Sequence, residues 1–460
     1  MFSSPLVPGM KKQRLGLSVF MITITAAIVT LGCRLNQADS ALLCDRLTKA
    51  GFKIVEEDGE DSPNLIVVNS CAVTATAARK TRQTLASLHR KHPYAYIILT
   101  GCAAEADPDE AVDSSDYDIL LTNSNKDQLE FMLERRFNIS PQKGIHNQLS
   151  AGGKVFTEGA VSLFPFKTRA NLKIQEGCEN FCTYCIVPYV RGAERSRSKK
   201  ETLEDFKQLI DAGFREVVIS GVNICNYRDG KTGIVGLIEQ LLAVPGDFRL
   251  RLSSTEPGPV IPELAKLIAS TPRLCNFLHL PLQAGSDKIL KKMGRKYTCA
   301  EYRKMVETAR ELVPTIHIGS DWIIGFPGET EKDFNASCDF IRSMEFSNLH
   351  VFPFSPRKGT PAAAMPGRVP VETMMARLEQ AKTIKNDTIM AFARGLIGQQ
   401  ETVLVERQCT ADGLYEGLSS NFARIRFRAK DNVTGQFCTV QVTTVSEEGI
   451  IGAKLVEPAQ

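Results

Sequence analysis

The sequence carries almost no excess of charge of either sign, since 56 Lys and Arg face 52 Asp and Glu and leave a net charge of +4 over 460 residues. So small an excess excludes a chain that binds polyanions through its overall charge, and any nucleic-acid surface must be a local patch. Low-complexity composition is also lacking, because 43% of the residues are hydrophobic and 23% are charged. A fibrous or largely disordered protein is thereby excluded, and the length predicts roughly three domains.

A long uncharged run near the amino terminus, residues 15–32, follows three basic residues and has the length of a signal anchor or a short membrane span. The run is rich in β-branched residues and ends at Gly32-Cys33, before an amphipathic segment over 36–51 that closes like a helix. Strand, turn and helix is the simpler interpretation. We therefore expect no membrane span, a cytoplasmic protein, and an extension over residues 1–20, with a translation start at Met21 as the alternative.

Cysteine is abundant, with 13 residues, an odd number in a chain far too long to need disulfide staples. Three of the cysteines follow strand-like runs: residues 64–69 end at Ser70-Cys71, residues 95–100 end at Gly101-Cys102, and the amino-terminal run ends at Gly32-Cys33. Helical stretches over 39–50 and 75–92 separate the runs, and this alternation predicts a parallel α/β sheet. Ligands collect beyond the carboxyl ends of such strands, so Cys33, Cys71 and Cys102 are expected to share one rim.

These three cysteines each precede a predicted helix start, where the helix dipole favours a thiolate. Three thiolates on one rim suit an iron–sulfur cluster with one iron that has no protein ligand. The alternative is three buried structural cysteines, a common fate of this residue.

A second set of cysteines is local in sequence. Cys178, Cys182 and Cys185 lie in Gly-Cys-Glu-Asn-Phe-Cys-Thr-Tyr-Cys, directly after a strand-like segment over 171–175. Three thiolates this close can hold three irons of a 4Fe-4S cluster and leave the fourth iron open to a ligand. A closed zinc site would need a fourth ligand, and no Cys or His lies between Cys185 and Cys225. We expect the remaining cysteines to be structural or incidental.

Strand-like and helical segments alternate through the middle of the chain and predict an open (β/α)6 barrel. The strands are expected over 171–175, 215–220, 248–253, 276–282, 315–324 and 348–354, and the helices between them over 201–212, 235–243, 301–312 and 331–344. The chemistry of such barrels lies at the carboxyl ends of the strands. Polar motifs follow these strands, including Gly221-Val-Asn223, Ser253-Ser-Thr-Glu256, Gln283-Ala-Gly285, Gly325-Phe-Pro-Gly-Glu329 and Ser355-Pro-Arg357. Each motif alone is typical of an ordinary turn, but together on one rim they favour a cofactor site.

Three longer motifs resemble the radical S-adenosylmethionine (SAM) methylthiotransferases. The cysteine motif continues as Ile-Val-Pro-Tyr-Val-Arg-Gly, and it is followed by His279-Leu-Pro-Leu-Gln-Ala-Gly-Ser-Asp287 and by Lys292-Met-Gly-Arg-Lys-Tyr-Thr298. Thr30-Leu-Gly-Cys, Asn69-Ser-Cys and Thr100-Gly-Cys are similar to the amino-terminal cluster domain of that family. The resemblance covers the chain from about Met21 to its end.

The resemblance implies two 4Fe-4S clusters and SAM as cofactors. Cys178, Cys182 and Cys185 would hold the cluster that binds SAM, and Cys33, Cys71 and Cys102 would hold an auxiliary cluster from which sulfur is delivered. Tyr184 occupies the position where the superfamily has an aromatic residue near the adenine. As further cofactor contacts we predict Asn223, Glu256, Gln283 and Arg295. No catalytic residue is assigned beyond the cluster ligands.

The residues from about Gly398 onward predict a small β-barrel, with short strands at 402–406, 423–429 and 439–443. In the central strand, alternation places Arg424, Arg426, Arg428 and Lys430 on the outer face, a basic stripe of the kind that tracks phosphates. The alternative is an edge strand protected by charge. The position of this segment matches the family's RNA-binding TRAM domain. A second basic surface is expected on the helix after Cys71, at Arg79, Lys80, Arg82, Arg90 and Lys91.

Within the family, Arg34-Leu35-Asn36-Gln37 after the first cysteine is closest to the branch that methylthiolates threonylcarbamoyladenosine beside the tRNA anticodon. The other candidate substrates are prenylated adenosine in tRNA and a ribosomal-protein side chain, and the other candidate class is a redox-sensing RNA-binding iron–sulfur protein. We expect tRNA, an external electron donor such as flavodoxin or ferredoxin, and a sulfur source as partners. The expected domains are a cluster domain over 21–150, a radical SAM domain over 165–395 and a TRAM domain over 396–460.

Overall fold

A computed structural model describes residues 23–106, 115–123, 125–137, 168–410 and 413–456 of the chain. The expected extension over residues 1–20 lies outside these residues, as do residues 15–22 of the uncharged run that ends at Gly32. Within the described ranges, every helix is too short or too polar to cross a bilayer.

The first unit is a parallel sheet with helices between its strands, as the alternation predicted. Its strands are β1 (Thr25–Thr30), β2 (Lys53–Ile54), β3 (Leu65–Ser70), β4 (Tyr96–Gly101) and β5 (Ile119–Leu121), in the spatial order β2-β1-β3-β4-β5. Its helices are α1 (Arg34–Lys49), α2 (Ala75–Lys91), α3 (Cys102–Ala106) and α4 (Leu129–Phe137). Helix α1 begins directly after Cys33 and not at Asp39, because the Asn36 amide donates to the carbonyls of Leu31 and Ser70 and turns the chain at that point.

The second unit is the predicted open barrel of six parallel strands. The strands are β6 (Arg169–Lys173), β9 (Glu216–Ser220), β12 (Arg249–Leu252), β13 (Phe277–His279), β14 (His317–Ile324) and β15 (Asn348–Pro353), with two short pairs, β7 (Gln175–Glu176) with β8 (Arg195–Ser196) and β10 (Arg228–Asp229) with β11 (Thr232–Gly233). The six strands form two three-stranded sheets, β6-β9-β12 and β13-β14-β15. Single parallel bridges, Leu250 to Leu274 and Ser254 to His279, connect the two sheets.

Helices cover the outer face of this barrel. The short helix α5 (Val187–Arg191) packs instead against Ala72, Cys102 and Ala103 of the first unit. The helices of the outer face are α6 (Lys199–Asp211), α7 (Ile234–Leu242), α8 (Ile261–Ser270), α9 (Asp287–Met293), α10 (Cys299–Leu312) and α11 (Glu331–Ser343). Alternate strand residues such as Leu172, Leu250 and Trp322 belong to one large buried core with these helices, and Trp322 stacks on Phe334 of α11. Because side chains of a strand alternate, the residues between them line the opposite, inner face, which we call the lumen.

The third unit is a closed five-stranded barrel that follows a long helix, α12 (Val371–Gly395). Its strands are β16 (Gln400–Thr410), β17 (Leu414–Ser419), β18 (Arg424–Arg428), β19 (Phe437–Val445) and β20 (Ile451–Leu455), in the order β16-β17-β18-β20-β19. The barrel confirms the predicted architecture, although α12, β17 and β20 were not anticipated from the sequence.

This small barrel packs against the floor of the lumen. Arg249 donates to the carbonyls of Thr402 and Leu418, at 3.0 and 2.7 Å. The ring of Phe422 stacks on Phe277 of β13, with centroids 4.7 Å apart. Beneath these contacts, Glu216 of β9 is fully buried and accepts from Arg249 and Arg251, each at 2.7 Å. The small barrel therefore closes the floor of the lumen.

Candidate cluster sites and cofactor cavity

A glycine with positive φ precedes the first cysteine of each set and fixes where that cysteine points. Gly32 has φ of 105°, and a Cβ built there would lie 2.6 Å from Cβ of Cys71. Gly177 has φ of 75°, and its Cβ would lie 1.9 Å from the carbonyl oxygen of Ala193. Only glycine fits both the backbone conformation and the space.

The structure brings Cys33, Cys71 and Cys102 to one rim, as predicted. Cys33 is the N-cap of α1, Cys71 follows β3 and Cys102 opens α3. Cys71 and Cys102 are buried, and Cys33 is exposed. The charges of Cys33 and Cys102 both act on Cys71, which shows that the three thiols are close together.

Burial opposes the expected helix-dipole effect at Cys71. Burial raises the pKa of the Cys71 thiol to about 11, because desolvation disfavours the charged form by more than the neighbouring backbone N–H of Val73 favours it. A thiolate at this position therefore needs a compensating positive charge, which a bound metal cluster would supply.

Arg191 at the end of α5 provides part of that compensation and joins the first two units. Its Nε donates to Sγ of Cys102 at 3.3 Å, and its Nη1 donates to Oε1 of Glu176 at 2.8 Å. Its Nη2 donates to Asn36 at 2.7 Å and to Asp39 at 3.2 Å, both on α1. Arg191 stands in the quoted cysteine motif, but its role is not visible in the sequence because Asn36, Asp39 and Cys102 are distant from it in the chain.

The second triad has the same composition in a more compact form. Cys178, Cys182 and Cys185 follow β7 on one loop, and burial raises the pKa of Cys178 to about 11 and that of Cys185 to about 12. Nη1 of Arg295 donates to Sγ of Cys182 at 3.3 Å. Each triad thus has one nearly buried guanidinium that donates to one of its sulfurs.

A cavity of about 270 Å3 opens beside Cys182. Three of the predicted cofactor contacts, Asn223, Glu256 and Arg295, line it. Nη2 of Arg295 lies 2.5 Å from Oε1 of Glu256, and burial raises the pKa of this carboxyl group above its usual value. Among the described residues, Oδ1 of Asn223 is buried without a hydrogen-bond partner. Cys225, expected to be incidental, also lines the cavity and accepts from the N–H of Glu256 at 3.3 Å.

The other two predicted cofactor contacts do not line this cavity. Tyr184 lies within the cysteine loop and packs against the barrel core, where burial raises the pKa of its hydroxyl well above the usual value. Gln283 follows β13 with φ of 75°, and its N–H donates to the carbonyl of Asp321 at 2.8 Å. Their assignment to SAM stays a prediction.

The residues present fit two 4Fe-4S clusters and SAM. Each triad offers three sulfur ligands and an arginine that donates to one of them. Burial disfavours the free thiolate at Cys71, Cys178 and Cys185. The cavity beside Cys182 offers a guanidinium, a carboxylate and an unpartnered amide oxygen, which match the carboxylate and the ammonium of an amino acid.

A polar cluster on the lumen face of β13, β14 and β15 was missed from the sequence. Nε2 of His279 lies 3.2 Å from Oδ2 of Asp321, and the ring of His350 lies 5.8 Å from that of His279. His279 is in a quoted motif, whereas Asp321 and His350 lie inside strand-like runs with no local signal. Only the alternation of residues in adjacent strands could have placed them together.

The predicted basic stripe lies on β18, with Arg424, Arg428 and Lys430 exposed and Arg426 half-buried. It is partly neutralised, since Arg424 and Arg426 each contact the buried carboxylate of Glu416 at 2.8 Å. Hydrogen bonds from arginines lower the pKa of Glu416 to about 2. On α2, the second expected surface, Arg79, Lys80, Arg82, Arg90 and Lys91 are exposed, and Lys91 lies 2.9 Å from Glu57.

Comparison with known proteins agrees with this geometry. Residues 25–122 match the uncharacterized protein family UPF0004, and residues 172–341 match the radical SAM superfamily. The chain is 35% identical over 432 residues to the threonylcarbamoyladenosine tRNA methylthiotransferase MtaB of Thermotoga maritima, which covers 94% of this chain and 97% of the relative. It is also 35% identical over 434 residues to the tRNA-2-methylthio-N6-dimethylallyladenosine synthase of Moorella thermoacetica, at 91% and 96% coverage.

Among solved structures, the fold is similar to that of the radical SAM methyltransferase TsrM of Kitasatospora setae, with a TM-score of 0.53 at 16% identity. That match covers 74% of this chain and 77% of the other. The chain therefore belongs to the radical S-adenosylmethionine methylthiotransferase family, enzymes that transfer a methylthio group with S-adenosylmethionine and two 4Fe-4S clusters as cofactors.

Proposed function

We propose that the enzyme adds a methylthio group to C2 of N6-threonylcarbamoyladenosine beside the tRNA anticodon. The printed name of the Thermotoga maritima relative, which is aligned over almost its whole length, supports this substrate. The residues after the first cysteine, Arg34-Leu35-Asn36-Gln37, support the same branch.

One observation carries the reaction type: two separate cysteine triads border one polar lumen, and each is accompanied by an arginine that donates to sulfur. Cys178, Cys182 and Cys185 would hold one cluster, and Cys33, Cys71 and Cys102 would hold the other. When bound, the first cluster and SAM supply the radical chemistry that activates an inert carbon–hydrogen bond, and the second cluster supplies sulfur.

The chain's own residues would bind and orient the reactants. Arg295 would bind the carboxylate of SAM, and Glu256 and the Oδ1 of Asn223 would accept from its ammonium group. The lumen would exclude bulk water from the target carbon, because the small barrel covers its floor. Tyr184 and Gln283 remain candidates for contacts with the nucleoside part of SAM.

The five-stranded barrel would contact the tRNA through Arg424, Arg426, Arg428 and Lys430. A basic stripe supplies affinity through phosphate contacts, without reading the sequence of the RNA. Flavodoxin or ferredoxin as electron donor, an external sulfur source and a cytoplasmic location complete the proposal.

The test is turnover by the anaerobically reconstituted enzyme on two anticodon stem-loops that differ only in the N6 group of the target adenosine. We expect mass spectrometry of the nucleosides to show the methylthio product from the threonylcarbamoyl stem-loop. Product only from the dimethylallyl stem-loop would transfer the assignment to the activity named for the Moorella relative. If SAM and dithionite gave no 5′-deoxyadenosine, a redox-sensing RNA-binding role would replace the enzymatic one.

A further inference from the structure

The two candidate substrates differ in charge at the position that an enzyme of this kind must recognise. A threonylcarbamoyl group carries a free carboxylate, whereas a dimethylallyl group is neutral and apolar. A buried carboxylate requires a positively charged or hydrogen-bonding partner. A lumen that accepts the first substituent therefore needs a cation that has no carboxylate partner in the protein itself.

Most of the cations on the lumen face of the β6-β9-β12 sheet already have carboxylate partners. Arg169 lies 2.7 Å from Glu406 and 3.5 Å from Glu216. Lys173 lies 2.7 Å from Asp39 and 2.9 Å from Glu176. Arg249 and Arg251 share Glu216, each at 2.7 Å. These residues hold the three units together and leave little charge to offer to a ligand.

Arg34 differs from these cations. It is the first residue of α1, directly after Cys33, and it is half-buried. Among the described residues, the hydrogen-bond partner of its guanidinium is a neutral amide, Oε1 of Gln37, at 3.3 Å from Nη1. No carboxylate in the described part of the chain lies within ion-pair distance of this guanidinium, and the nearest negative charges, Glu216 and Glu406, are already paired with Arg169, Arg249 and Arg251. Arg34, Gln37 and Ala41 lie along one face of α1, and Ala41 packs into the core of the barrel unit, so this face of α1 is turned toward the barrel.

An independent observation points to a ligand at the same wall. Asn171 lies on β6 between Arg169 and Lys173, on the lumen face, and its residue is 9% exposed. Its Oδ1 has no hydrogen-bond partner within the described part of the chain. A buried amide without a partner is costly unless a ligand or an ordered water completes it, and rotation of the amide would present its NH2 as a donor.

We propose that Arg34, Gln37 and Asn171 form a subsite that binds the carboxylate of the N6 substituent, an inference that rests on the proposed function. The guanidinium would donate to the carboxylate, and the two amides would complete its hydrogen bonds. The position beside Cys33 places the substituent at the wall from which sulfur is delivered. A dimethylallyl group would leave the half-buried guanidinium without an anionic partner and is disfavoured for that reason.

The experiment compares a stem-loop that carries threonylcarbamoyladenosine with the same stem-loop as its methyl ester, which removes the charge and keeps nearly the same size. Binding to the anaerobically reconstituted enzyme is measured by fluorescence anisotropy. For the unaltered enzyme we expect the acid to bind roughly 10- to 100-fold more tightly than the ester, the range of charge-assisted hydrogen bonds. Arg34→Gln should remove this ratio by weakening binding of the acid alone, and Arg34→Lys should keep part of it.

Lys200→Gln is the charge-matched control, because Lys200 lies on the outer helix α6 with a side chain that is 85% exposed. It should leave the acid-to-ester ratio unchanged. An Arg34→Gln enzyme with normal iron content that keeps the ratio, or loses affinity for both stem-loops equally, would overturn the inference. Turnover of the acid by the unaltered enzyme reports separately on the proposed function, so the two failures can be told apart.

Discussion

The two cysteine triads have the same chemistry but are built in different ways. The second triad is a single loop in which Cys178, Cys182 and Cys185 lie within one short motif. The first is assembled from the ends of three parallel strands, and its members are separated by two helices. The loop depends on local backbone geometry, whereas the rim depends on the register of a whole sheet and on Arg191, which reaches it from the barrel unit.

The difference implies that the two triads should fail in different ways. A local loop can be lost without disturbing the rest of the fold, since its cysteines lie close together in the chain. The rim is held by a network that includes Asp39, Glu176 and Lys173, and damage there weakens the joint between two units.

The largest expected effect separates the triads by function. Cys182→Ala should lower the iron content from about eight to about four per chain and abolish cleavage of SAM. Cys102→Ala should cause the same loss of iron but leave SAM cleavage intact, while methylthio transfer is abolished. Iron analysis and 5′-deoxyadenosine measurement check both, and a Cys102→Ala enzyme that still transferred sulfur would contradict the assignment of the rim triad.

Replacement of the arginine beside each triad should have a different effect in the two cases. Arg191→Gln leaves the buried carboxylates of Asp39 and Glu176 with weaker compensation and should lower the free energy of unfolding by about 3 kcal/mol, the cost of breaking a buried ion pair. Arg295→Gln should mainly weaken the binding of SAM, because Glu256 is its only carboxylate partner in the described chain and has a raised pKa. Urea unfolding and equilibrium dialysis of SAM distinguish these outcomes.

Substitution of a glycine tests whether the loop triad depends on the local backbone turn that precedes it. Gly177→Ala forces a Cβ to 1.9 Å from a backbone oxygen and should prevent assembly of the loop cluster, with an iron content of about four. Gly213→Ala is the matched control, since Gly213 has φ of 89° but nothing within 4 Å of a built Cβ. It should cost only about 1–2 kcal/mol from backbone strain and retain all the iron.

A pH experiment tests how much the buried floor of the lumen contributes to the stability of the protein. Burial lowers the pKa of His317 from 6.5 to about 3, with Arg251 and His279 as the nearby positive charges, and its ring contacts Phe392 and Phe422. The unfolded chain binds a proton at this histidine more readily than the folded chain does. The contribution of neutral His317 to the free energy of unfolding is therefore full above pH 6.5 and is lost as the pH falls. Between pH 7 and pH 5 this contribution to the free energy of unfolding should fall by roughly 2 kcal/mol. His317→Phe should reduce the pH dependence of the unfolding free energy measured in urea.

The smallest effect is expected on the barrel. Arg424→Gln should weaken tRNA binding only a few-fold, because Arg424 is shared with Glu416, and Lys430→Gln should do the same or slightly more. Each substitution should reduce the slope of log affinity against log salt concentration by about the value of one phosphate contact. Equal affinity and an unchanged salt slope in both variants would favour the alternative of a protected edge strand.

Much of the fold was predictable because its signals are periodic and local. The strands before Cys33, Cys71 and Cys102 and the order of the barrel elements follow from short apolar runs and the turns between them. Helix α12 was missed. The contacts of Arg191 with Asn36, Asp39 and Cys102 were also missed, since they join residues that are 89 or more positions apart in the chain. The desolvation of the Cys71 thiol could not be foreseen, because it depends on packing that the sequence does not display.

The stacking of Phe422 on Phe277, with Arg249 bonded to two carbonyls of the small barrel, has a mechanical consequence. These contacts hold the small barrel against the radical SAM unit. An RNA bound on the outer face of the barrel would therefore lie at a fixed distance from the lumen. That distance would determine which nucleotide of the strand reaches the lumen.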